Sequence, residues 1–296
     1  MLEFFKKKFI ISYAGGLGNQ MFQYVLRCNF EKKGEVRDDT SYYVHVSDAM
    51  PFVLTEVFPN VRMKEVSDKE KEKYLRLNVS KSILRKVYYK LFGLREKRYC
   101  EKKDLYFDDA VLLEKEGYFS GYWQSYKYVE LVKDEIAERF RFKETNEKWI
   151  RELVKNVREE NSVSVHIRAG DYFLPQNVAL FGNICTEKYY NSAIKLMCNK
   201  IDQPLFFVFS NDINWCKENI LLDNVVWMDE ETMPKHEDWI EMYLMSCCRH
   251  NIIANSSFSW WAAWLNKYQN KIVIAPKKWL QTVEKDEICP EEWIRI

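Results

Sequence analysis

Along this chain a short apolar run is followed, again and again, by a polar or glycine-containing turn and then by a stretch with helix-like amphipathic spacing. Phe9 to Tyr13 leads into Gly15, Gly16 and Gly18, and Val163 to Ile167 leads into Gly170 and Asp171. Leu205 to Phe209 precedes Ser210 and Asn211, and Ile252 to Ala254 precedes Asn255 and Ser256. Strands alternating with helices in this way predict parallel α/β layers. Between about residues 126 and 160, Val129, Leu131, Val132, Ile136, Trp149, Ile150, Leu153 and Val154 recur among many charges. That spacing predicts surface helices separating two α/β sets, with a domain boundary near residue 155, so that the domains are 1–155 and 156–296.

A second amphipathic pattern stands apart in charge. Lys64 to Lys103 carries fourteen Lys and Arg against six Asp and Glu, an excess of +8 that leaves −7 for the rest of the chain. Within it Ile83, Leu84, Val87, Tyr88, Leu91 and Phe92 share one helical side, and Lys81, Arg85, Lys86 and Lys90 the other. Two readings follow: a peripheral helix with a solvated face, or contact with an anionic membrane surface or a lipid-linked substrate.

Composition narrows the function classes. With 47% hydrophobic and 30% charged residues in 296, the chain is neither disordered nor fibrous. Forty-five basic against forty-four acidic residues give a net charge of +1, which excludes a general nucleic-acid binder and leaves any anion to a local site. The eight cysteines form no C-x-x-C and no zinc-like grouping with the four histidines. The apolar stretch near the N-terminus is too short for a signal-peptide core, and no later one reaches membrane-spanning length. These features predict free thiols and a cytoplasmic location.

Three constellations carry candidate chemistry. On the strand from Ser162, alternation places Ser164, His166 and Arg168 on one face and Val163, Val165 and Ile167 on the other. Arg168 then lies at the strand's carboxyl end with Ala169, Gly170 and Asp171, where open α/β sheets bind their ligands. A guanidinium fork suits a diphosphate, and a carboxylate beside it can orient the fork or accept a proton. An ion pair between Arg168 and Asp171 is the plainer alternative. The second constellation is a strand entering a helix through Asn255, Ser256 and Ser257, whose first-turn N–H groups form an anion cradle; Trp260, Trp261 and Trp264 behind it are expected in the core. The third is Gly15-Gly16-Leu17-Gly18 with Asn19 and Gln20. Met21 occupies the place of the last glycine in a dinucleotide-binding G-x-G-x-x-G, and no Walker lysine motif occurs, so a tight turn presenting amides to a ligand is what remains. On the helix after Glu237, Glu241 projects away from the Trp239, Ile240 and Tyr243 face, and its carboxylate could accept two hydrogen bonds from the N1 and N2 donors of guanine.

Taken together, GGLGNQMFQY at 15–24, HIRAGDY at 166–172 and NSSFSWWAAWLN at 255–266 resemble glycosyltransferase family 11, whose typical members are α-1,2-fucosyltransferases using GDP-fucose. CTEKYYNSAI at 185–194 and EMYLMSCCRHNIIANSSFSWW at 241–261 extend the likeness over almost the whole chain. The resemblance implies a GT-B-like α/β fold of two Rossmann-like domains facing a cleft, an acceptor-side N-terminal domain and a GDP-fucose-binding C-terminal domain. It implies inverting transfer of fucose to the 2-hydroxyl of a galactose-terminated glycan, with no cofactor and no metal, and the absence of any D-x-D pair agrees with that expectation. By position, Arg168 would neutralise the leaving diphosphate, His166 would line the nucleotide pocket, and Ser256, Ser257 and Phe258 would cradle phosphate. Glu241 falls where relatives commonly carry aspartate and would read guanine. Asn19, with Gly16 and Gly18, would sit near the diphosphate and acceptor, and Asp171 is the nearest candidate base. The chain departs from many members in having Ala169 where they carry a second arginine. Tyr118, Tyr122, Trp123 and Tyr126 are candidates for stacking on sugar, although packing explains them equally. Two alternatives stay open: a fucosyltransferase of different linkage or acceptor, and a non-catalytic carbohydrate- or nucleotide-binding protein.

Overall fold

The computed structural model describes residues 8–47, 50–75, 97–169 and 175–296. The chain divides into two compact units, Met1–Arg141 and Phe142–Ile296. The division falls earlier than the expected boundary near residue 155, and the reason is visible in the packing. The helix Lys148–Glu159 packs against Asp238–Cys247, and the Phe142 ring meets Tyr243 at 5.1 Å, so both segments belong to the second core. The basic amphipathic pattern through Lys81–Phe92 lies outside the described residues, as does Asp171.

In the first unit β1 (Lys8–Ser12), β2 (Glu35–Asp39), β3 (Arg98–Cys100) and β4 (Gly117–Ser120) form a sheet of order β2-β1-β4-β3, every pair parallel. The connection from β1 to β2 is α1 (Leu17–Glu31), buried over most of its circumference, with Phe30 against Phe9 (4.4 Å) and Phe119 (4.5 Å). A helix enclosed on all sides needs partners for its polar groups. Arg27 finds the fully buried Asp38 at 2.9 Å, and Asp38 also accepts from the Tyr13 hydroxyl (3.0 Å) and the Lys64 N–H (2.6 Å). The helices α2 (Asp68–Leu75) and α3 (Lys133–Arg139) complete the labelled elements of this unit.

The second unit runs α4 (Lys148–Glu159), β5 (Ser162–Ile167), α5 (Glu187–Cys198), β6 (Leu205–Ser210), α6 (Ile213–Asn219), β7 (Val225–Trp227), α7 (Asp238–Cys247), β8 (His250–Ile252), α8 (Ser257–Leu265), β9 (Val273–Ala275) and β10 (Ile294–Arg295). Its sheet has the order β10-β9-β8-β5-β6-β7, again parallel throughout. Counted within the unit this is the 3-2-1-4-5-6 order of a Rossmann sheet, whose reversal falls between β5 and β8. The fold is therefore α/β and GT-B-like, with two Rossmann-like units in one chain. All of β5 is buried: Val163, Val165 and Ile167 face a core with Tyr189, Tyr190 and Phe206, while Ser164 accepts from Asn251 at 2.7 Å. Sheets covered on both faces read as continuous apolar runs, as β6 does, whereas β5 alternates its valines with Ser162, Ser164 and His166 although both of its faces are buried. Strand β8 ends earlier than the expected 252–254, although the Ile253 N–H still donates to Ile274. No helix among the described residues is long and apolar enough to cross a membrane. The cysteines are free, Cys28, Cys216, Cys248 and Cys289 being buried.

Candidate functional site

At the reversal of the second sheet the carboxyl ends of β5 and β8 are neighbours, their strands paired through Val163–His250 to Val165–Ile252. The chain leaves β5 through Arg168 and leaves β8 through Asn255 into α8. Two constellations separated by nearly ninety residues are thus brought to one crevice, where a parallel sheet binds ligand.

Arg168 is half-buried, and its backbone is fixed from the next strand. The Asn211 amide, just beyond β6, accepts from the Ala169 N–H (3.0 Å) and donates to the Ala169 carbonyl (2.8 Å). Ala169 itself is completely buried. Nothing in the sequence singled out Asn211 for this clamp; its place after a strand end is the only signal. His166 is buried, and its Nδ1 has no hydrogen-bond partner among the described residues. Burial, then the charge of Arg168, push its pKa down to about 3, so the imidazole is neutral at working pH. Its ring lies 5.6 Å from that of Phe258 in the first turn of α8.

Helix α8 begins at Ser256 in the N-cap position, with extended backbone. The Ser256 side chain makes no capping bond and no acidic residue occupies the first turn, so the N-terminal N–H groups keep their positive end unneutralised by the helix's own carboxylates. The Asn255 amide donates to the carbonyls of Phe181 (3.2 Å) and Trp279 (3.1 Å), fastening two loops to the start of the helix. Trp260 and Trp261 are fully buried, and Trp264 stacks on Trp260 at 5.2 Å. At the far end Lys271 donates to the carbonyls of Ala263 (2.7 Å), Trp264 (3.3 Å) and Asn266 (2.8 Å), closing the helix C-terminus with an ammonium.

Glu241, in the first turn of α7, lies 3.2 Å from the Nδ1 of His236. Burial pushes its carboxyl up to about 7; the bond and charge of His236 oppose this, Asp238 adds to it, and Arg168 opposes it. Glu241 and His166 are therefore both within electrostatic reach of Arg168. His236 precedes Glu241 by five residues in irregular chain, a spacing that no helical pattern exposes.

The glycine turn belongs to the first unit. Gly15 has φ +80°, and a Cβ there would lie 2.4 Å from the Asn19 amide nitrogen, so both backbone and space demand glycine. Gly16 caps α1, Gly18 is buried within its first turn, and Asn19 accepts from Gln124 at 2.7 Å. Gln20, expected to face a ligand, is instead buried: it donates to Gly15 and Pro51 and accepts from Val53 and Leu54. Among the described residues, a metal-type grouping is formed by Cys28, Glu31 and Glu135 in the first unit, and both its carboxylates pair with Arg139.

An arginine after one strand and a helix N-terminus after its neighbour, at the point where the strand order reverses, form the arrangement in which α/β sheets bind ligands. The sequence profile of Glycosyl transferase family 11 matches residues 2–296, and the chain belongs to that family. It is 33% identical over 308 residues to an alpha-1,2-colitosyltransferase of Escherichia coli, covering 96% of this chain and 97% of that protein. To the O-antigen biosynthesis glycosyltransferase WbnK of Escherichia coli it is 31% identical over 299 residues, covering 96% and 98%. A galactoside alpha-(1,2)-fucosyltransferase 1 of Saimiri boliviensis boliviensis is 23% identical over 188 residues, covering 60% of this chain and 51% of that protein.

Proposed function

We propose that the chain transfers L-fucose from GDP-fucose to the 2-hydroxyl of a galactoside, with inversion and without a metal. The observation that carries this reading is the meeting of Arg168 and the α8 N-terminus at the reversal of the second sheet. Charge accumulates on the leaving diphosphate as the glycosidic bond breaks. The guanidinium and first-turn N–H groups at Ser256, Ser257 and Phe258 meet that charge, and such preoriented donors are worth more in the transition state than in the ground state. Neutral His166 lines the same pocket, and ionised Glu241 accepts from the guanine edge. Asn19, with Gly16 and Gly18 of the glycine turn, serves the diphosphate and the acceptor. Asp171 is the candidate base, with a small role, because an oxocarbenium-like transition state needs little help from one.

Two of the named relatives support an α-1,2 linkage, and one of these supports a different sugar, colitose. The test is therefore a donor and acceptor matrix: purified chain, GDP-fucose or GDP-colitose, and galactose-terminated oligosaccharides, with chelator throughout, followed by linkage analysis. Fucose joined to the galactose 2-hydroxyl in chelator is the expected product. Turnover of GDP-colitose alone would replace the donor assignment, complete dependence on added manganese would overturn the metal-free mechanism, and nucleotide binding with no transfer to any acceptor would return the chain to the non-catalytic reading.

A further inference from the structure

The partner of the Glu241 carboxylate is itself held in place from both sides. After β7 the chain turns at Asp229, whose carboxylate accepts from the Thr232 N–H (3.2 Å) and whose carbonyl accepts from the Met233 N–H (2.7 Å). The Thr232 hydroxyl donates back to the Trp227 carbonyl (2.9 Å), and Met233 is buried beneath the turn. Three consecutive side chains then diverge. Lys235 reaches Glu147 (2.9 Å), the N-cap residue of α4. Glu237, the N-cap residue of α7, accepts from the Trp239 indole N–H (2.6 Å) and lies 4.0 Å from Lys143, whose ammonium stands over the Trp239 ring. Between these two anchors His236 turns to Glu241, its Nδ1 3.2 Å from one carboxylate oxygen.

An ionised carboxylate only accepts hydrogen bonds, so the ring nitrogen that faces it carries a proton. Glutamate has three side-chain torsions, and the last is broad and only two-fold, which leaves the plane of the carboxylate poorly defined. A base that donates through two adjacent N–H groups needs both oxygens turned to it at once. Tying one oxygen to a ring whose neighbours are both anchored removes that freedom before the base arrives, and ordering done beforehand is not charged against binding. The other charges near Glu241 cannot do this. Asp238 and Arg168 act on it through their charge, with opposite signs. Helix α8, which packs along α7, carries no charged side chain, and α4 meets α7 through Arg158 at Cys247, six residues further on.

We propose that His236 is the positioning residue of the base-reading carboxylate: its ring sets the plane in which Glu241 offers two oxygens, and so creates a preference for a nucleobase with two adjacent N–H donors over one with a single donor. The inference rests on the guanine reading of Glu241, but the pairing of the two side chains can be measured without nucleotide. The His236 bond and charge also oppose the effect of burial, so losing them raises the Glu241 carboxyl further above about 7. The His236 side chain is 43% exposed, so replacing it opens no hole in the core.

The test uses the full chain with GDP and inosine diphosphate, whose base lacks the exocyclic amine, as probes in calorimetry. Carboxyl-labelled glutamate NMR of the nucleotide-free chain accompanies it, with the Glu241 resonance assigned by its loss in Glu241→Gln. The wild type should prefer GDP by about tenfold to a hundredfold, the value of one hydrogen bond to a charged group. In His236→Ala that preference should fall to within about threefold, mostly through weaker GDP binding, with kcat at saturating donor within about twofold. The Glu241 resonance should titrate at higher pH, and the pH at which GDP binding weakens should rise with it. His236→Asn, which places an amide N–H close to the position of Nδ1, should restore most of the preference. In the Glu241→Gln background His236→Ala should add nothing. A purely structural role would weaken both nucleotides in parallel, and that result overturns the proposal, as does an unmoved Glu241 titration in His236→Ala. A wild type without preference for GDP, whose Glu241 titration still moves in His236→Ala, retains the pairing and refutes the guanine reading.

Discussion

Asn211 and Ala169 exchange two hydrogen bonds, one amide side chain satisfying both polar groups of one backbone position. The residue so fixed follows Arg168 directly, so the clamp sets where the guanidinium emerges from the sheet. Arg168→Ala is expected to lower kcat by roughly a hundredfold to a thousandfold, the usual cost of removing one positioned donor to a developing charge. Its circular dichroism should match the wild type. Asn211→Ala leaves the arginine in place but loosens its base, and is expected to cost about tenfold to a hundredfold in kcat, as small misplacements do. Steady-state kinetics on both variants decide; full turnover by a folded Arg168→Ala removes the mechanism.

The Glu241 carboxyl, raised to about 7 by burial, would give the proposed donor site a pH dependence with a definite sign. Only the ionised form accepts two hydrogen bonds from the base, so donor KM should rise as pH falls through 7. Between pH 8 and pH 6 the ionised fraction falls about tenfold, and KM should follow. Stability moves the other way. The folded pKa lies above the unfolded one, so this group's stabilisation is fully present below the unfolded pKa, about 4.3, and is lost as pH rises through about 7. Titrating donor KM and the apo melting temperature across pH 5 to 8 measures both slopes. In Glu241→Gln both should flatten, and a donor KM that keeps its pH dependence there would assign the titration to another group.

Ser256 separates capping from ligand binding. Serine to alanine at an N-cap ordinarily costs about 1 kcal/mol, but here the side chain makes no capping bond, so the loss in Ser256→Ala should stay under about 0.5 kcal/mol. A hydroxyl donating to phosphate is worth about 1.5–3 kcal/mol, so donor KM should rise about tenfold to a hundredfold. Chemical denaturation with and without GDP distinguishes the two.

Strand β6 was legible because it is enclosed on both faces and leaves a continuous apolar run, and β5 because its valines alternate with Ser164 and His166. Arg168 and Glu241 were legible as types of residue at strand and helix ends. Their partners were not. Asn211 and His236 act across elements, at separations no periodicity records, and Gln20, though beside Asn19, turned inward because Val53 and Leu54 need an acceptor beneath the turn. The expected boundary near residue 155 and the division after Arg141 differ for a related reason: charged helices look peripheral in sequence, whereas α4 is bound to its unit by a stripe of Ile150, Val154 and Val157.

Lys271 supplies the last prediction, because it tests whether the two ends of α8 are independent. Its ammonium meets three carbonyls at the C-terminus, satisfying groups that would otherwise be unpartnered and complementing the negative end of the helix. Burial works against it, pushing its pKa down to about 8, so desolvation offsets part of what the hydrogen bonds contribute. Bonds to a charged group are worth about 1.5–3 kcal/mol; with that offset, Lys271→Met should lower stability by roughly 1–2 kcal/mol. The N-terminal N–H groups act on a phosphate through local geometry, and the dipole's influence fades within a turn, so donor KM should stay within about twofold. Urea unfolding and donor kinetics measure the two quantities on one preparation. A large rise in donor KM with unchanged stability would mean that Lys271 governs the anion site through the helix rather than holding its far end.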